Sequence, residues 1–218
     1  MLYPLIDANS AFDAVIVCDG DFPTNANALA IISNAKFLCC CDGAAVSCLQ
    51  RGIVPDAIVG DGDSLPEEWK KKYADRLHIF TEQDYNDQTK ATRFCQAQGM
   101  QRIAYLGSTG KREDHTLGNI SLLLFYKKEF HLDVTMITDF GYFTPACGKQ
   151  TFATFARQQV SIFNLCGCQR MVSRGLKWDV YPFSELWQGT LNEALGDEVT
   201  IDADGAYLVF RTFVGKQW

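Results

Sequence analysis

The sequence predicts an α/β protein: an N-terminal three-layer parallel-sheet α/β domain followed by a smaller C-terminal β-sandwich domain. Three observations carry that prediction. Four continuous apolar runs, Ala14-Val15-Ile16-Val17-Cys18, Phe37-Leu38-Cys39-Cys40-Cys41, Ala57-Ile58-Val59 and Arg102-Ile103-Ala104-Tyr105-Leu106, each stop at a Gly or an Asp. Helix-like stretches separate them. Beyond residue 144 the helical signals fade, and short strand-like segments divided by Gly- and Asp-rich turns replace them.

The runs do not alternate polar with apolar, so both faces of each strand are buried, as in a parallel sheet covered by helices. Helices are expected over residues 25–33, 44–51, 65–73 and 87–98, with Asp84 or Asn86 able to cap the last. A fifth helix over 116–130 and a strand over 134–138 complete an α/β domain spanning residues 1–143. The β-sandwich domain, residues 144–218, takes strands at 159–165, 198–201 and 206–211. In a parallel sheet, ligands bind outside the carboxyl ends of the strands, where Asp19, Asp42, Asp61 and Gly107 gather.

Composition narrows the partners. Of 218 residues, 47% are hydrophobic and 21% charged, and the formal charge is −6, which argues against nucleic acid and for a small cationic or metal-bridged substrate. Residues 1–7 lack the basic start and long apolar run of a signal peptide, and no stretch is long enough to span a membrane, so a cytoplasmic protein with no membrane partner is expected. The nine cysteines include no C-x₂-C pair and read as reduced, apolar strand residues.

The chemistry starts at Gly60-Asp61-Gly62-Asp63-Ser64, directly after the third apolar run. Carboxylates at i and i+2 of an extended segment lie about 6.6 Å apart on one side, and at an effective dielectric of about 20 they repel by roughly 2.5 kcal/mol. A cation offsets that repulsion. Mg²⁺ suits hard oxygen ligands and substrate phosphates, and Gly62 lets the chain bend so that both acids face one ion. A solvated acidic turn is the alternative. The second cluster is Gln83-Asp84-Tyr85-Asn86-Asp87-Gln88-Thr89-Lys90, where Asp87, Thr89 and Lys90 at a helix N-terminus could hold a metal-bound phosphate.

The third cluster, Gly107-Ser108-Thr109-Gly110-Lys111-Arg112-Glu113-Asp114-His115, offers exposed N–H groups and the Arg112 fork to phosphate oxygens. It has neither the P-loop nor the dinucleotide spacing, and His115 is either a general base or a structural residue at a helix start. In the β region, Trp178 is either a core residue or an aromatic shelf for a flat ring, with Thr190 and Asn192 either turn residues or groups that read the ring's edge.

Taken together, these clusters, with Asn119, Gly175-Leu176-Lys177-Trp178 and Asn192-Glu193, resemble the thiamine pyrophosphokinase family over nearly the whole chain. The resemblance implies an α/β domain binding ATP and Mg²⁺, a β-sandwich domain binding thiamine, and a homodimer with active sites between subunits. It implies transfer of the pyrophosphoryl group of ATP to the hydroxyl of thiamine, giving thiamine diphosphate and AMP. Metal ligation falls on Asp61, Asp63 and Asp87, which with Lys90 and Arg112 form the catalytic set. Nucleotide contacts fall on Asp42, Thr89, Lys90, Arg112 and Asp114, and thiamine contacts on Gln83, Trp178, Thr190 and Asn192. The chain departs from the family pattern at Ala44, Val46, Lys111 and Leu191. Two rival readings are a non-catalytic thiamine or nucleotide sensor and a metal-dependent nucleotide-sugar transferase.

Overall fold

The structure is a computed structural model that describes residues 1–216, and the chain folds as two compact units. A short strand β1 (Leu2–Tyr3) opens the chain and belongs to the β unit. The α/β unit, Ala8–Leu122 with Leu132–Asp139, follows. It contains β2 (Ala14–Val17), α1 (Ala26–Ser33), β3 (Leu38–Cys41), α2 (Asp42–Gln50), β4 (Ala57–Gly60), α3 (Glu67–Lys72), β5 (Leu77–Ile79), α4 (Asp87–Ala97), β6 (Arg102–Leu106), the first part of α5 (Glu113–Glu129), and β7 (Asp133–Ile137).

The six strands of this unit are all parallel, in the order β7-β6-β2-β3-β4-β5. Every residue of β2, β3 and β4 is buried, which is why these strands read as unbroken apolar runs. Ile16, Ile58, Ile103 and Leu106 are sealed from solvent, and cutting any one to Ala is expected to cost about 2–5 kcal/mol. The chain winds outward from β2 through β3, β4 and β5, then returns to place β6 on the other side of β2. That reversal leaves a crevice at the carboxyl ends of β2 and β6. Six of the cysteines, Cys18, Cys39, Cys40, Cys41, Cys48 and Cys95, are free and buried in this unit.

Helix starts follow the polar residues before them. Asn25 caps α1 by accepting from Asn27 N–H, and Asn86 caps α4 by accepting from Thr89 N–H. Of the two cap candidates for α4, Asn86 is the one used. Helix α5 begins at Glu113, three residues earlier than its apolar pattern indicates, so Glu113 and Asp114 form an acidic first turn. Strand β5 was not expected; its residues are half-buried or exposed.

The β unit takes Met1–Asp7, Leu123–His131 and the chain from Phe140 onward. Its strands are β8 (Gly141–Ala153), β9 (Gln158–Phe163), β10 (Met171–Arg174), β11 (Asn192–Glu193) and β12 (Glu198–Gly215). The two segments read separately at 198–201 and 206–211 are one strand, β12, paired antiparallel with β8 and shifting register between Asp202 and Ala206. Before that bulge β12 pairs with β10, and after it with β9, which carries β11 at its far edge. A bulged long strand serving two sets of partners is how one strand turns a sandwich corner. Tyr3, Phe152, Ile162, Met171, Ile201 and Tyr207, from both sets, share one core.

Arg211 of β12 lies inside this unit, 1% exposed. Its guanidinium sits 4.8 Å from the Tyr142 ring and 5.3 Å from the Phe152 ring. Its Nη1 donates to Ala153 O at 2.6 Å and Tyr3 O at 3.3 Å, which ties β1 to β8. Burial pulls its pKa below the usual arginine value.

Candidate active site

The crevice of the α/β unit opens into a cavity of about 430 Å³. Its wall is built from the strand ends and the segments that leave them: Cys18, Asp19 and Gly20 after β2, Cys41 of β3, Asp61 after β4, and Ser108 with Gly110 to Arg112 after β6. Gln83, Tyr85 to Gln88, Lys90, His115 and Asn119 close it. The residues named from sequence therefore divide. Asp61, Gln83, Asp87, Lys90 and Arg112 share this cavity, whereas Asp42, Asp63, Thr89 and Asp114 stand outside its wall.

Three of those four nonetheless bond to wall residues. Gly62 has φ 83°, the bend that its lack of a Cβ permits, and the Asp63 N–H donates to Asp61 Oδ1 at 3.2 Å. Thr89 is buried, and its hydroxyl donates to Asn86 Oδ1 at 2.9 Å within the α4 cap. Asp114 receives both prongs of the Arg112 guanidinium, Nε at 3.1 Å and Nη2 at 2.6 Å. Arg112, helped by the His115 N–H, holds the Asp114 carboxyl below the usual range, and Asp114 raises Arg112 in return.

Asp42, the first residue of α2, is 1% exposed. One carboxylate oxygen accepts from Ser64 N–H at 2.8 Å, and the other, Oδ1, is buried without a partner. Burial pushes its pKa up against the pull of the Ser64 N–H, and the charges of Asp61 and Asp87 add to the rise. Lys90, buried in α4, lies 3.4 Å from Asp87 Oδ1, and Lys70 is the cation whose charge acts on Asp42.

Sequence reasoning did not assign the polar frame that holds these groups. Asn119 Nδ2 donates to Ser108 O at 2.9 Å, Asn86 Nδ2 donates to Asn119 Oδ1 at 2.9 Å, and Gln88 Nε2 reaches Asn119 O at 3.4 Å. One amide thus links the segment after β6, α5 and the start of α4. Ser108 Oγ is buried at the wall with no partner. Asp19 also belongs to the wall, and the signal for it was its place after an apolar run.

Among the described residues no three His, Cys, Asp or Glu side chains stand close enough together to enclose a metal ion. The donor chemistry still suits a hard divalent cation. Asp61 and Asp87 bring carboxylates to the wall, their charges raise the pKa of Asp42, whose Oδ1 has no partner, and a cation would relieve that repulsion.

The β unit has its own groove, about 350 Å³, lined by Trp178, Tyr181, Phe183, Thr190 and Asn192 among others. Trp178 is 50% exposed, so it is not the core residue that one reading of the sequence allowed. Asn192 is buried and fastens it: the Trp178 N–H donates to Asn192 Oδ1 at 3.2 Å and Asn192 Nδ2 donates to Trp178 O at 2.8 Å. Thr190 Oγ1 donates to Trp187 O at 2.7 Å, and Lys177 Nζ lies 4.9 Å from the Trp178 ring. Gln83 is in the other cavity, in the α/β unit.

A parallel α/β unit with a charge-dense crevice, joined in sequence to a β unit with an aromatic groove, defines a two-part ligand-binding architecture. Residues 28–135 match the family model "Thiamin pyrophosphokinase, catalytic domain", and residues 141–210 match "Thiamin pyrophosphokinase, substrate-binding domain". The chain belongs to the thiamin pyrophosphokinase family. It is 37% identical over 86 residues to the thiamine pyrophosphokinase of Bacillus subtilis, a match spanning 38% of this chain and 40% of that relative's length. The fold is that of thiamin pyrophosphokinase from Candida albicans (TM-score 0.80, 17% identity, 97% of this chain and 92% of that one). It is likewise similar to the yeast enzyme (0.76, 17%, 97% and 91%) and the Bacillus subtilis structure (0.73, 20%, 91% and 98%).

Proposed function

We propose that this chain transfers the pyrophosphoryl group of ATP to the hydroxyl of thiamine, releasing AMP and thiamine diphosphate. The observation that carries this reading is the shared cavity of Asp61, Asp87, Lys90 and Arg112 at the strand ends, within the stretch that matches a catalytic-domain model. Carboxylates and cations facing one space suit a polyphosphate presented with a divalent cation, and the aromatic groove of the β unit suits a flat cationic ring.

In this reading the thiamine hydroxyl attacks the β-phosphorus and AMP leaves in line, so the protein's work is positioning and charge compensation. Lys90, buried at the wall, and Arg112, with its fork preset by Asp114, would bind phosphate oxygens and stabilise the charge that grows on transfer. Asp61, Asp63 and Asp87 would hold Mg²⁺, which when bound neutralises phosphate charge. Asp42, Thr89 and Asp114 act around the nucleotide, Asp42 by its charge, Thr89 by fixing the start of α4, and Asp114 by orienting Arg112. Gln83 and Trp178 would contact thiamine, with Thr190 and Asn192 shaping the groove that holds it.

The proposed working form is a cytoplasmic homodimer with active sites between subunits and no nucleic-acid or membrane partner. Exposed Leu186, Trp187, Leu191 and Leu195 on the β unit support burial against a second copy. Among the described residues no helix is long and apolar enough to cross a membrane. Incubating the chain with ATP, Mg²⁺ and thiamine and resolving products by chromatography tests the activity. Stoichiometric AMP and thiamine diphosphate are expected. Tight thiamine binding without AMP would identify a sensor instead, and transfer onto a sugar phosphate would identify the nucleotide-sugar reading.

A further inference from the structure

The wall segment after β6 is held by more than its own turn. Beyond the end of β2 the backbone goes on bonding to it: the Cys18 N–H donates to Leu106 O at 2.8 Å, Gly20 to Gly107 O at 2.6 Å, and Asp21 to Thr109 O at 2.8 Å. These bonds fix residues up to the turn, and the next side chain, Lys111, sits in the left-handed region at φ 55°. That conformation is disfavoured for any residue with a Cβ, and Lys lacks the short polar side chain that eases it in Asn or Asp. The position nevertheless puts an ammonium in the cavity wall, 2.9 Å from Asp19 Oδ1, with both side chains about half exposed.

Asp19 has its own constrained place. Its carboxylate lies against the first turn of α2, where a Cβ on Gly43 would stand 2.6 Å from Oδ2, so only the missing side chain at 43 makes room for it. Negative charge is favoured at that end of a helix. A carboxylate of the protein therefore rests on an anion-favouring surface inside the cavity, with Lys111 drawn to it. The other two cations of the wall are paired as well, Lys90 with Asp87 and Arg112 with Asp114.

We propose that Lys111 is a specificity-determining residue for the nucleotide: it leaves Asp19 for the terminal phosphates of a nucleoside triphosphate, and so makes the cavity prefer triphosphate to monophosphate. This rests on the reading that the cavity takes ATP. The exchange is easy because a half-exposed ion pair contributes little. A polyphosphate offers Lys111 more charge than a carboxylate does, and it competes with Asp19 for the same surface.

Calorimetric titration with Mg²⁺-ATP and with AMP, without thiamine so that no turnover occurs, tests the proposal. Lys111→Gly is expected to weaken ATP binding about tenfold, the equivalent of one charge-assisted contact, and AMP binding less than twofold. Its thermal midpoint should not fall, because Gly accepts the left-handed conformation. Lys111→Arg should keep the preference, and Asp19→Asn should tighten ATP binding severalfold. An unchanged ratio of ATP to AMP affinity in Lys111→Gly overturns the proposal, as does weaker ATP binding in Asp19→Asn. A wild-type chain that binds AMP but prefers it to ATP overturns the role of Lys111 alone. One that binds neither nucleotide overturns the cavity reading along with it.

Discussion

The cavity of the α/β unit and the groove of the β unit are built on opposite terms. In the first, each cation is already matched to a carboxylate, Lys90 to Asp87, Lys111 to Asp19, Arg112 to Asp114, and every pair stands on a segment leaving a strand or entering a helix. In the second, an aromatic ring stands half exposed, and the polar groups near it are spent on backbone: Asn192 holds Trp178, and Thr190 holds Trp187 O. The difference separates two tasks. Cations held by carboxylates in the free protein can pass to a polyphosphate that offers them more charge, whereas a fixed ring gives a preformed face for a flat ligand.

If that separation holds, changes in the first region should act on turnover and changes in the second on thiamine affinity. The largest effect is expected at the acids. Asp61→Asn or Asp87→Asn should lower kcat about 10²–10³-fold at saturating Mg²⁺ and ATP, measured by AMP release. Near-normal turnover in either would break the comparison at its base. Next comes Trp178→Ala, expected to raise the thiamine KM about five- to tenfold, while kcat and the ATP KM stay within twofold. A fall in kcat with unchanged KM would mean that the ring serves the transferring group rather than the ligand's face.

A smaller effect should follow from Asn192→Ala. This residue touches Trp178 through the backbone on both sides, so its loss should loosen the ring and raise the thiamine KM about threefold. The same variant in the Trp178→Ala background should add little, because the ring it orients is gone. Additivity in that double-mutant cycle would show that Asn192 contacts the ligand directly.

Much of this arrangement was legible in the sequence where burial dictated the pattern. Strands β2, β3, β4 and β6 are covered on both faces, and apolar runs ending in Gly or Asp announced them. Strand β5 was not legible, because Leu77–Ile79 is half-buried or exposed and carries no apolar run. The division of β12 into two strands came from Asp202-Ala203-Asp204-Gly205, which has turn composition but is spanned by a bulged strand. The cavity was legible as a gathering of strand ends. The left-handed Lys111 follows a turn anchored at Gly107 and Thr109 by backbone bonds from a segment about ninety residues earlier, a pairing that the local sequence does not display. The burial of Asp42 was equally silent, because a helix-starting Asp is ordinarily solvated.

Asp42 offers the finest test of the charge balance in the α/β unit. Its folded pKa is raised, by burial first and then by Asp61 and Asp87, above its value in the unfolded chain. The folded state therefore binds more protons than the unfolded state between those two values. The stability this group contributes is fully present below the ordinary carboxylate range near pH 4 and is lost as pH rises through the folded pKa. Asp42→Asn keeps an acceptor for the Ser64 N–H and cannot titrate. In the presence of a chelator it should melt at the same temperature as the wild type or lower at pH 3, and should gain on the wild type as pH rises to 7. In a chain of this size 1 kcal/mol moves the midpoint by about 2–4 °C, so even a fractional relief is readable by calorimetry. Adding Mg²⁺-ATP at pH 7 should reverse the order, because a cation in the acidic cluster compensates the wild-type charge and the variant has less to offer it. If the Asn variant kept its advantage with ligand present, the excess negative charge at Asp42 would be a feature of folding alone, and the cavity's ion pairs would owe nothing to it.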